Sequence, residues 1–252
     1  MITPIKAFED NYIWLGALDN RSTFCVDPGD AKPVIDYLTV HQLKLELILL
    51  THHHADHSGG IEKLIKLYPE VRVCGPKDHR LPKSYYLDDD NAPIEFHSLK
   101  FSVLHTPGHT ATHISFFEPN KAWLFCGDTL FSAGCGRIFD GTALQLFASL
   151  ELIRKLPDNT QIFCAHEYTR QNLRFAQTIE PENDDVHAYY QALMQSPLRC
   201  SLPSTLAIEK KVNPFLRTHY AHLQQGKCSA ELPSETKALL TLKHLRQQKD
   251  NF

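Results

Sequence analysis

Ten residues constrain this chain more than any others. Thr51-His52-His53-His54-Ala55-Asp56-His57-Ser58-Gly59-Gly60 follows directly on Leu45 to Leu50, a nearly all-apolar run. Such a run reads as a strand buried on both faces. Beyond the ten residues, Ile61, Leu64, Ile65 and Tyr68 fall at i, i+3, i+4 and i+7, which is one face of a helix. A histidine-rich loop is therefore set between a buried strand and a helix. In a locally extended chain, residues two apart point the same way, so His52 and His54 can share one metal ion. Asp56 and His57, at the turn into the helix, can face a second. Gly59 and Gly60 let backbone pass close to such a site. The competing reading of this run alone is a solvated polar loop that scavenges metal. Its internal position speaks against a tag.

Three later strand ends each offer one more ligand. They are His109 in Thr106-Pro107-Gly108-His109, Asp128 in Cys126-Gly127-Asp128, and His166 in Cys164-Ala165-His166. Each follows an apolar strand and a small residue or tight turn, where α/β proteins place their chemistry. Singly, each reads as a hydrogen-bonded structural residue. With the cluster they make five histidines and two aspartates. That is enough for two divalent ions bridged by a carboxylate and a water, with zinc, iron or manganese suited to imidazole and carboxylate. The other ten histidines, His53 and His113 among them, read as surface or core residues.

The remaining pattern supplies the frame. Strands are expected at Tyr12 to Leu18, Thr23 to Val26, Val71 to Cys74, Leu99 to His105, His113 to Phe117, Ala122 to Cys126 and Gln161 to Cys164. Thr142 and Gln145 form a capping box opening a helix with Leu144, Ala148, Leu152 and Leu156 on its stripe. After Glu167 the strand signal stops, and 169–179, 184–195 and 234–250 read as helices. The expected organisation is a layered α/β domain over 1–168 and a helical domain over 169–252.

Charge and cysteines narrow the partners. A net charge of -3 shows no basic excess, so no nucleic-acid partner is expected. No apolar run approaches the ~18 residues of a spanning helix, so no membrane partner is expected either. Met1-Ile-Thr-Pro-Ile-Lys lacks a basic segment followed by an apolar one, so no secretory signal is expected. Seven cysteines without a C-x-x-C pair fit reduced thiols in a cytoplasm. A monomer is expected.

The ligand set Thr51-His52-x-His54-x-Asp56-His57, His109, Asp128 and His166 resembles that of the metallo-β-lactamase superfamily. The resemblance implies an αββα sandwich, with His52, His54 and His109 on one metal, Asp56, His57 and His166 on the other, and Asp128 bridging. Gly134-Cys135-Gly136-Arg137, Ala165-His166-Glu167-Tyr168-Thr169, Pro203-Ser204-Thr205-Leu206, Asn213-Pro214-Phe215 and Arg246-x-x-Lys249-Asp250 are similar to the glyoxalase II (hydroxyacylglutathione hydrolase) family within it. That similarity spans essentially the whole chain. It implies hydrolysis of S-D-lactoylglutathione to D-lactate and glutathione, the second step of methylglyoxal detoxification. Asp56 and Asp128 are the implied catalytic residues, and Arg137, Phe139, Tyr168, Arg246 and Lys249 the implied glutathione contacts. The family often carries Lys at 137, Tyr at 139 and Gly at 165. Arg137 keeps the charge in another geometry, and Phe139 lacks the hydroxyl. Arg246 and Lys249, spaced i, i+3, share a helix face and can jointly meet a carboxylate; otherwise they are helix-end or solvated cations.

Three rivals stand beside this reading. A glutathione persulfide dioxygenase on the same fold would use one iron and need no complete second site. A nuclease or lactonase of the superfamily is the second; a nuclease would carry a basic extension. The third is a non-catalytic metal-binding protein with a decayed site, which seven intact ligands oppose.

Overall fold

The nearly all-apolar run at 45–50 lies inside a sheet, with Leu45, Leu47, Ile48 and Leu49 buried as its composition requires. The fold is given by a computed structural model that describes residues 1–18, 21–87, 89, 92–197, 200–225 and 231–252; Cys228 falls outside them. By its contacts the chain divides into a first unit of residues 1–105, 112–127 and 163–167 and a second of 106–111, 128–162 and 168–252.

The first unit holds β1 (Ile2–Ala7), β2 (Asn11–Ala17), β3 (Ser22–Val26), α1 (Ala31–His41), β4 (Lys44–Leu49), α2 (Ala55–Ser58), α3 (Ile61–Leu67), β5 (Arg72–Cys74), β6 (Ile94–Phe96), β7 (Leu99–His105), β8 (Ile114–Glu118) and β9 (Trp123–Gly127). One sheet has the order β1-β2-β3-β4-β5, antiparallel through β3 and parallel from β3 to β5. A second runs β9-β8-β7-β6, antiparallel throughout. Side-chain alternation explains why both faces of β2 are buried. Ile13 and Leu15 pack in a core with Val34 and Leu38 of α1 and Ile61 and Leu64 of α3. Between the sheets, Phe24 of β3 meets Phe96, Phe101 and Phe125 edge-on at 5.1–5.8 Å between ring centroids. Edge-to-face packing suits the ring quadrupoles.

The second unit holds β10 (Leu130–Phe131), β11 (Gly134–Cys135), α4 (Ala143–Arg154), the start of β12 (Gln161–Cys164), α5 (Thr169–Ile179), α6 (Asp184–Gln195), β13 (Ser204–Thr205), α7 (Leu206–Val212), α8 (Ala221–Gln224) and α9 (Ser234–Asp250). The capping box of α4 forms, with Thr142 accepting from the Gln145 amide and the Gln145 side chain accepting from the Thr142 amide. The expected stripe does not face the core: Leu144 and Leu152 are exposed, and Leu146, Leu150 and Ile153 are buried. Both faces of this helix carry leucine. The buried face also includes Ser149, whose hydroxyl donates to the Pro107 carbonyl at 2.7 Å. A polar residue on the core side hid the period. The strand signal does not stop at 167 either. Ser204 and Thr205 pair with Ile162 and Gln161, a contact too short to carry a periodic pattern.

Among the described residues no helix is long and apolar enough to cross a membrane. Among the described residues Cys25, Cys74, Cys126, Cys135, Cys164 and Cys200 form no disulfide.

Candidate functional site

In the first unit the histidine loop is shaped by one buried carboxylate. Asp27, just past the end of β3, accepts from both the Thr51 amide and its hydroxyl, each at 2.7 Å. Ser58 closes the short helix behind it, its hydroxyl donating to the His53 and His54 carbonyls. Gly127 passes over this corner with φ +46°, and a β-carbon there would lie 2.4 Å from Thr51 Oγ1 and 2.8 Å from His113 Nε2. Only glycine satisfies both the conformation and the approach.

The ring orientations follow. Nδ1 of His57 lies 3.0 Å from Asp27 Oδ2, Nδ1 of His52 3.0 Å from Thr51 Oγ1, and Nδ1 of His166 2.8 Å from Asp10 Oδ1. With Nδ1 engaged, Nε2 is the inward atom of each ring, as in metal sites whose histidines are held by outer partners. Asp56 Oδ2 then sits 3.3 Å from His57 Nε2 and 3.5 Å from His166 Nε2. His52 Nε2 is 3.1 Å from His54 Nδ1. Ligand atoms at ~2.0–2.1 Å from a tetrahedral ion are about 3.3 Å apart, so these spacings and this donor set fit a divalent metal. Asp56 is partly buried, which opposes its ionisation. The bonds to His166 and His57, the His57 charge and Asn11 outweigh that and hold the carboxyl well below its ordinary value. His53 points elsewhere, 3.5 Å from buried Asp78.

The second unit holds His109 and Asp128. His109 Nε2 is 3.5 Å from Asp128 Oδ2, and His109 Nδ1 is 2.8 Å from the Arg137 carbonyl. A β-carbon on Gly136 would lie 1.9 Å from the Asp128 carbonyl, so this loop needs glycine beside the aspartate.

All five expected glutathione contacts lie in the second unit. Arg137 is well exposed and 3.6 Å from Asp250. Phe139 is exposed and meets the His109 ring edge-on at 5.1 Å. Tyr168 packs on Phe131 at 5.2 Å. Arg246 and Lys249 share α9 but have different surroundings. Arg246 is buried, donating to the Cys135 carbonyl at 2.8 Å and to Asp250 at 3.0–3.1 Å. Lys249 Nζ is buried, makes no hydrogen bond among the described residues, and sits 5.3 Å from the Phe175 ring and 5.1 Å from that of Phe252. Burial first, then the Arg246 and Arg137 charges, draw its pKa down to about 8, against a smaller opposing effect of Cys135.

Comparison with known proteins agrees with this geometry. Residues 11–166 match the profile of the metallo-beta-lactamase superfamily, and residues 167–252 match that of the hydroxyacylglutathione hydrolase C-terminus. The hydroxyacylglutathione hydrolase of Legionella pneumophila (strain Corby) is 50% identical over 257 residues, covering 100% of this chain and 99% of its own. The chain belongs to the hydroxyacylglutathione hydrolase family of the metallo-β-lactamase superfamily. Among solved structures, ETHE1 from Myxococcus xanthus aligns with TM-score 0.65 at 22% identity, over 99% of each chain. The B3 metallo-beta-lactamase BLEG-1 aligns with TM-score 0.62 at 25% identity, over 86% of this chain and 99% of its own. The sandwich with a helical C-terminal addition is thus the fold of the family.

Sequence reading missed the outer carboxylates Asp10 and Asp27, and His113, which stacks on His52 at 4.9 Å. Asp27 did carry a signal, since it ends an apolar strand as Asp128 does. Its Pro28-Gly29 sequel reads as a turn instead. Replacing Asp27 with alanine is expected to weaken retention of a divalent ion about 10–100-fold, measured with added zinc by competition with a chromophoric chelator. Parental retention would show that His57 is held in place by something else.

Proposed function

We propose that this protein hydrolyses S-D-lactoylglutathione and related S-2-hydroxyacylglutathiones to the 2-hydroxy acid and glutathione. The observation that carries this reading is the match of residues 167–252 to the hydroxyacylglutathione hydrolase C-terminus. The ligand set of the first 166 residues is common to the superfamily, whereas this segment is tied to one substrate class. We assign residues 1–168 to catalysis and 169–252 to glutathione binding. His52, His54 and His109 would hold one divalent ion and Asp56, His57 and His166 a second, with Asp128 a ligand common to both. Zinc suits the donors best, with iron or manganese also compatible.

When bound, the ions supply an ionised water near neutral pH and polarise the thioester carbonyl. The residues do the rest. Asp56, held by Asn11 Nδ2 at 3.0 Å, orients the attacking water. The water oxygen bonds to the carbonyl carbon and the C–S bond breaks. The electron pair leaves on glutathione sulfur, a weak base that departs without a general acid. Arg137, Tyr168, Phe139 and Lys249 hold the glutathione portion, and Arg246 holds the loop that carries Arg137. We take the protein to be a monomer, and a reducing cytoplasm fits cysteines that form no disulfide among the described residues.

Lys249 makes the binding pH-dependent. Its charged form, which attracts a carboxylate, dominates below about pH 8, so KM rises as pH passes upward through that value while kcat holds. Lys249→Met is expected to raise KM several-fold at pH 7 and flatten the profile. An unchanged slope would remove Lys249 from binding. The function as a whole is tested by thioester loss and metal content on one sample. Turnover with close to two metals per chain, abolished by chelation, is expected. Two metals without turnover would overturn the substrate.

A further inference from the structure

Between Asp128 and Arg137 the chain makes a hairpin of only two residue pairs, Leu130 with Cys135 and Phe131 with Gly134. So short a ladder is marginal alone, and its turn is strained, with Ala133 at φ +55°. Side chains from the helices hold it. Asn213 Nδ2 donates to the Phe131 and Gly134 carbonyls, and Asn172 Nδ2 to the Ser132 carbonyl. At the turn lies Glu209 of α7, fully buried. Its Oε2 accepts from the Ala133 amide at 2.7 Å and from Asn213 Nδ2 at 3.1 Å, and its Oε1 accepts from the Ser132 hydroxyl at 2.8 Å. A buried carboxylate with no catalytic partner persists only where its bonds hold something in place. Here they fix a left-handed alanine.

We propose that Glu209 is a positioning residue for the hydrolysis. Its carboxylate pins the Ser132–Ala133 turn. The hairpin passes that constraint to Asp128 at one end, and at the other to the Arg137 carbonyl that faces His109. This rests on the function proposed above.

The test uses the full chain loaded with zinc. Zinc transfer to a chromophoric chelator is followed alongside kcat and KM for S-D-lactoylglutathione. Glu209→Ala is expected to release zinc about tenfold faster and to lower kcat by a similar factor, with KM little changed. Glu209→Gln keeps an acceptor for Ala133, and Ser132 can turn to accept from the amide, so it should restore both. Leu242→Ala, in the core of the same unit, is the control for stability alone and should leave zinc release unchanged. Equal release from Glu209→Ala and Leu242→Ala overturns the proposal. If Glu209→Ala does not fold, Ser132→Ala removes one bond to the carboxylate; faster release supports the proposal, and the parental rate overturns it. A parental chain that takes up no zinc or leaves the thioester intact overturns the function and this inference together. Parental turnover with variants indistinguishable from it overturns the inference alone.

Discussion

Asp128→Ala will lower kcat for thioester hydrolysis roughly a thousandfold, the upper end for loss of one preorganised electrostatic group. The carboxylate is buried, lies 3.5 Å from His109 Nε2, and has Gly136 against its own backbone. On the proposed assignment of Asp128 to both ions, metal content should fall from about two toward one per chain. Asp128→Asn keeps the shape and one acceptor oxygen but loses the charge, and should lie between. Steady-state kinetics with metal analysis on the same preparations decides the matter. Parental kcat with both metals retained would take Asp128 out of the mechanism.

The inner residues were legible because their signals are local. His52, His54, Asp56 and His57 lie within six positions, and His109, Asp128 and His166 each follow an apolar run and a small residue. The outer partners were not, because their signals are not local. Asp10 reaches His166 across 156 positions, and Asp27 reaches His57 across 30. The pairing of β3 with β4 brings Asp27 to its histidine, and the bridge between Asn11 and His166 brings Asp10 to its own. Surroundings were equally hidden for Arg246. The i, i+3 spacing with Lys249 is real, yet one cation is tied to Cys135 and Asp250 and the other lies between two phenyl rings. Spacing gave the shared face but not the neighbours. The same limit explains α4, where two leucine-bearing faces competed and the one carrying Ser149 is buried.

Arg217→Met is expected to destabilise the fold by about 3–5 kcal/mol, the cost of leaving one member of a buried ion pair uncompensated. Glu180, at the C-terminal end of α5, is buried and accepts from Arg217 at 2.9–3.3 Å and faces His222 Nε2 at 2.7 Å. Burial opposes its ionisation, but Arg217 and His222 prevail and hold its pKa below the ordinary carboxylate value. A depressed folded-state pKa contributes stability that is present above the unfolded pKa and is lost as pH falls through the folded one. In Arg217→Met most of the compensation is gone while burial remains, so the deficit is largest at neutral pH. It shrinks toward pH 4, where the unfolded chain also holds the proton. A melting temperature roughly 6–20 °C below the parent is expected at pH 7. Pairing Arg217→Met with Glu180→Leu removes the stranded charge and should recover most of the loss. A deficit that is constant between pH 7 and pH 4, or that the double variant does not relieve, would place the role of Arg217 in its packing over Tyr220, 4.4 Å from the ring, and not in its charge.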